Sequence, residues 1–134
     1  MKLLLLFIFC VAISGCKKAV TPADLAYLSG YWAIEEAISP EGEKKPYFGV
    51  VEADYFELDH LTGLRKKVVP LPNGGFSVTK DAVPFLVSFS DTECMLTYTK
   101  NKHSWQEKIV ALSDVKLELE DARGVVFRYQ KYIP

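Results

Sequence analysis

Apolar residues follow two different patterns along this chain. From Leu3 to Ile13 they form an unbroken run behind the single charge of Lys2. After Gly30 they come in short bursts rich in Val, Phe, Tyr, Thr and Trp, separated by clusters of Gly, Pro, Asn and Asp. Alternation is clearest near the end, where Val115, Leu117 and Leu119 take one side and Lys116, Glu118 and Glu120 the other. A period of two marks a strand with one dry and one solvated face. Val125, Phe127 and Tyr129 repeat it against Arg128 and Gln130, and the short loop at Asp121-Ala122-Arg123-Gly124 makes the two strands a hairpin. Phe56 with Leu58, and Phe85 with Val87 and Phe89, continue the pattern.

This reading predicts strands over 31–39, 47–59, 64–69, 76–79, 85–90, 93–100, 104–112, 115–120 and 125–133. Asn73-Gly74-Gly75 and Pro40-Glu41-Gly42-Glu43 supply turn residues. Pro70 and Pro72 cannot donate ladder bonds and belong at an edge or outside the sheet. One turn of helix is expected at Leu25 to Leu28, opened by Thr21-Pro22. Short links without a crossover helix imply an all-β, antiparallel up-and-down meander. Closing it into a small barrel of eight or nine strands removes its exposed edges.

The first pattern has a separate meaning. A basic start, a short apolar middle and the small residues Ser14 and Gly15 before Cys16 make a signal peptide. The run is shorter than the roughly 20 apolar residues a spanning helix needs. Ile13-Ser14-Gly15-Cys16 resembles the bacterial lipobox. That resemblance implies cleavage before Cys16, lipid on its thiol, and membrane attachment as the first partner. Several acyl chains, at about 0.8 kcal/mol per buried CH₂, give lasting anchorage. Lys17, in place of the aspartate that retains some lipoproteins in an inner membrane, points to the outer membrane of a cell envelope. The expected organisation is a signal over 1–15, an anchor and tether over 16–27, and one barrel domain over 28–134.

Gly30-Tyr31-Trp32, set in Leu28-Ser29-Gly30-Tyr31-Trp32, resembles the opening signature of the lipocalins. The tail is similar as well, with Leu117-x-Leu119, Gly124 and Phe127-x-Tyr129-x-Lys131. The resemblance implies a lipocalin-like barrel in which Gly30 and Trp32 close one end. It also implies an arginine packed across that tryptophan. Arg128 is the only arginine in the final strand, although its alternation sets it opposite Phe127 and Tyr129. A larger lipocalin's helix after the barrel and its Asp-Tyr signature have no counterpart here.

Composition narrows the function. Sixteen basic residues oppose seventeen acidic ones, scattered without a stripe, which excludes a nucleic-acid footprint. No phosphate loop and no metal spacing is present, so no cofactor or metal is expected. Glu118 and Glu120 share a solvated face, not a cleft, so enzymatic activity is not expected either. Once Cys10 leaves with the signal and Cys16 carries lipid, Cys94 has no disulfide partner and reads as a small buried hydrophobe.

Two functions remain open. A barrel can hold one small apolar ligand or be filled by its own side chains. Trp32, Ile34, Phe56 and Leu58 are candidates to line such a cavity or to form that core. Phe85, Phe89, Trp105 and Phe127 stand in the same position. Alternatively the partner is an envelope protein, with the segment 40–46 or 70–75 protruding as the loop of a lysozyme or protease inhibitor.

Overall fold

The computed structural model describes residues 18–49 and 52–133. The expected signal and Cys16 lie outside them. A 3₁₀ helix, Pro22–Tyr27, precedes ten strands: β1 Gly30–Ile38, β2 Lys44–Pro46, β3 Ala53–Asp59, β4 Thr62–Pro70, β5 Phe76–Val78, β6 Val83–Phe89, β7 Cys94–Lys100, β8 His103–Leu112, β9 Lys116–Glu120 and β10 Val126–Tyr132. Eight of them run in the order β1-β3-β4-β6-β7-β8-β9-β10, and β10 pairs back onto β1 from Tyr31↔Tyr132 to Ile38↔Val126. All pairings are antiparallel, so the meander closes into an eight-stranded up-and-down barrel. The two extra strands are short hairpin partners, β2 on β1 and β5 on β4.

Turn chemistry explains the tight links. Asn101 and Lys102 both adopt positive φ, as a two-residue hairpin connection matched to strand twist requires. One expected strand is shorter and one is new. Of residues 47–59, Ala53–Asp59 forms the strand, pairing with the near half of β1 and with β4, while Lys44–Pro46, in the segment expected to protrude as a loop, pairs with the far half of β1. Pro46 ends that short strand, where a ladder donor is missing. Pro70 ends β4 opposite Phe76. Val115 stands outside β9 and is exposed, whereas Leu117 and Leu119 are fully buried.

The two barrel ends differ. Trp32, Phe56, Phe85, Val87, Leu96, Ile109, Leu117 and Leu119 fill the first end, and Leu25 and Leu28 of the N-terminal segment lie over it. Gly63 makes room there, since a Cβ at that position would run into the Phe85 ring and the Glu57 carbonyl. At the other end the ladders part. β1 leaves β3 for β2, and β4 leaves β6 for β5. Those two gaps open the barrel sideways as well as upward.

Candidate functional site

The closed end is built around Trp32, whose indole N–H donates to the Leu28 carbonyl at 2.8 Å. Lys131 lies over the ring, its Nζ 4.6 Å from the centroid, and donates to the Ser29 carbonyl at 2.8 Å. Burial lowers the Lys131 pKa from its ordinary value. Gly30, at φ +130, permits this approach, for a Cβ there would sit 2.5 Å from Lys131 Nζ. Arg128 is elsewhere. It faces outward and pairs with Glu36 at 2.6 Å and Glu118 at 3.0 Å. The cation across the tryptophan is therefore Lys131 and not Arg128. The reason is parity: Lys131 shares the inward side of β10 with Phe127 and Tyr129. The outward Glu118 is correspondingly not a freely solvated carboxylate, being nearly buried between Arg128 and Lys116.

At the open end the interior turns from apolar to charged. Arg65 enters from β4 and is held by four oxygens. Its Nη1 donates to the Tyr98 hydroxyl at 2.9 Å and Glu107 Oε1 at 2.7 Å. Its Nη2 donates to Asp54 Oδ2 at 2.8 Å and the Tyr129 hydroxyl at 3.0 Å. The guanidinium also lies over the Phe56 ring at 4.9 Å. Lys67 approaches the second Asp54 oxygen at 2.5 Å.

Electrostatics follow from this packing. Burial alone would raise the Asp54 pKa, but Arg65 and Lys67 outweigh it and hold the carboxyl below its usual range. Burial disfavours the Arg65 cation, yet Tyr98, Tyr129, Asp54 and Glu107 together raise its pKa well above normal. Burial raises the Tyr98 and Tyr129 phenols, which stay neutral. Taking such an ion pair out of water is costly. The bonds from the Arg65 guanidinium to Tyr98, Glu107, Asp54 Oδ2 and Tyr129 offset that cost, while Asp54 Oδ1 has only the Lys67 ammonium beside it.

Above this floor lies a cavity of about 460 Å³, walled by Ile34, Tyr47, Glu52, Phe127 and Tyr129 and reaching Trp32 at its base. A second opening of about 210 Å³ enters between β4 and β6 and shares Asp54, Arg65 and Lys67 with the first. Lys66, Lys80, Asp81, Val83, Tyr98, Lys100 and Trp105 complete its wall. A ladder of rings links the two ends: Phe56 to Phe85 at 6.0 Å, Phe85 to Tyr98 at 5.8 Å, and Tyr98 stacked on Trp105 at 5.4 Å.

The candidate residues thus separate. Trp32, Phe56 and Phe85 are core. Leu58 and Phe89 are partly buried and pack against that core. Ile34, Trp105 and Phe127 reach the cavities. The residues that give the chamber its chemistry, Asp54, Arg65, Lys67, Tyr98 and Glu107, were not among the sequence candidates. Two carried a signal: Asp54 shares parity with Phe56 and Leu58, and Glu107 with Trp105 and Ile109. Arg65 was masked, because Leu64 and Val68 make the opposite side of β4 look like the dry one. Cys94 is buried, and burial pushes its thiol up to about 11. Among the described residues no group of three or more His, Cys, Asp or Glu is placed to hold a metal ion. No helix among them is long and apolar enough to cross a membrane.

Fold and site together define a lipocalin-like, eight-stranded up-and-down barrel, sealed at one end and holding a charged chamber at the other. No family model matches the chain, and no curated protein matches it. Two solved structures are similar to it. One is a lipocalin-like protein from Bacteroides uniformis, 14% identical, with the match covering 79% of this chain and 99% of the other at a TM-score of 0.48. The second is an uncharacterized protein from Bacteroides eggerthii, also 14% identical, covering 78% and 99% at a TM-score of 0.49. The assignment of the fold rests on the closed strand ladder of this chain.

Proposed function

We propose that this protein is a lipid-anchored binding module of the cell envelope, holding a small molecule in the chamber above Arg65. The observation that carries the reading is the asymmetry of the barrel. Its Trp32 end is packed solid, while its Arg65 end keeps a cavity of about 460 Å³ with side openings. A pocket with a few placed polar groups among aromatic walls suits a small ligand. The polar floor changes the ligand class from the plain apolar molecule suggested by sequence to one with a polar part. The proposal is of a binder, not an enzyme. Anchorage through Cys16 is supported by the lipobox resemblance, and its placement in the outer membrane by Lys17 after the cysteine.

Native mass spectrometry of the protein from its own host tests the binding reading, and a retained small molecule displaced by unfolding is the expected result. Fractionation with labelled palmitate tests the anchor. Cys16→Ser should abolish label and membrane partition, and a serine variant that keeps both overturns it.

A second reading, an inhibitor or other protein-binding lipoprotein, is favoured by one observation. Phe48, in the loop between β2 and β3, is 87% exposed. A stoichiometric protein adduct in the same spectrum, lost on Phe48→Ser, would favour that reading over the first.

A further inference from the structure

We propose that the β4–β6 opening of the chamber recognises a small aromatic anion, its acid group on Lys80 and Lys100 and its ring against Trp105 and Val83. This inference rests on the binding reading above and names the ligand class for the β4–β6 opening. The chamber floor is already neutralised. Arg65 spends both of its terminal nitrogens on Asp54, Glu107 and two phenols, and Lys67 lies on Asp54. None of these groups is free to take a charged ligand without breaking a buried pair.

The opening itself is different. Lys80 and Lys100 line it and make no ion pair among the described residues, while Asp81 is its only acid besides Asp54. The lining therefore carries a surplus of positive charge that the fold has not cancelled. The aromatic side is equally specific. Trp105 stacks on Tyr98 at 5.4 Å and 16° yet keeps 38% of its surface exposed, at an edge of this opening. Val83 and the lysine stems supply the remaining apolar contact, since such side chains bury their methylenes and keep the ammonium wet. At roughly 30 Å³ per water, a space of this size holds about seven waters. That suits one or two fused rings with an acid group, and a long acyl chain is too large for it.

The test compares three probes of matched shape: 1-naphthoate, 1-naphthalenemethanol and 1-naphthylmethylamine. Each is titrated calorimetrically into the full protein, with the Trp105 indole N–H followed by NMR. The naphthoate should bind at least tenfold more tightly than the other two and shift the Trp105 signal. Its affinity should fall as salt is raised, because exposed charges are screened. Lys80→Gln and Lys100→Gln should each weaken naphthoate roughly two- to fivefold, the usual range for an exposed charge contact, and leave the alcohol unchanged. If the alcohol or amine binds as tightly as the acid with the Trp105 shift intact, the anion class is wrong and the binding chamber stands. If none of the three binds, the aromatic-anion class is wrong, and the native spectrum of the protein from its host decides the binding reading separately.

Discussion

Arg65 is held by Asp54 of β3, Tyr98 of β7, Glu107 of β8 and Tyr129 of β10, so one side chain ties five strands together. Its side chain is only 17% exposed and Asp54 is 1% exposed, so the network works mostly out of water. Removing one partner of a buried pair costs about 3–5 kcal/mol, because the other charge is left uncompensated. Arg65→Met is therefore expected to lose that much in urea unfolding. Adding Glu107→Gln should recover part of the loss, since one stranded carboxylate is then neutral. Equal stability of Arg65→Met and the wild type would show that the guanidinium holds nothing together. Little of this network was legible in the sequence. Charge on β4 reads as a wet face, and only pairing Asp54 with Lys67 and Phe56 with Arg65 turns that face inward.

At the scale of elements, β1 shows how much a local pattern can say. Gly30 and Trp32 were readable as a closing pair, and the structure adds the physical cause. Glycine leaves space for Lys131, Lys131 covers the indole, and the indole donates to the chain entering from the helix. Trp32→Ala should destabilise by roughly 3–5 kcal/mol, the ordinary cost of deleting a large buried aromatic. Denaturant unfolding measures it, and a loss under about 1 kcal/mol would mean the ring lines open space instead of filling a packed end. Strand number and antiparallel order were equally legible, because alternation and turn residues are local signals. The short strand β2 was not, since it depends on which neighbour the far half of β1 meets. β5, expected at 76–79, was legible as a strand, but its place as a hairpin arm on β4, with Phe76 stacked on Tyr31 at 3.9 Å, was not.

For the whole molecule, the two ends should respond differently to acid. Asp54 has a folded pKa below its unfolded value, so its contribution is fully present above the unfolded pKa of about 3.9. It is lost as pH falls through the lower folded value. At the Trp32 end the corresponding carboxylate is Asp24 of the 3₁₀ helix, held below its usual range by hydrogen bonds from the Thr21 backbone and hydroxyl and not by a buried ion pair. Urea midpoints between pH 7 and pH 5 should show no loss from Asp54, followed by a decline below about pH 4. Asp54→Asn should start less stable and decline less steeply there. Parallel curves for the two proteins would remove Asp54 from the account.

The 3₁₀ helix over the sealed end also fixes where a pull on the N-terminus is felt. Pro22–Tyr27 leads directly into β1 at Gly30, on the side of the barrel farthest from the Lys100–His103 hairpin. A tether from position 16 to position 22 reaches at most about 20 Å, at roughly 3.5 Å per residue. With lipid on Cys16, as proposed, the barrel stands on its base like a cup, and the bilayer lies beneath its floor. Its rim then faces the surrounding fluid, and a ligand held as proposed would enter and leave without crossing the lipid surface that holds the cup in place.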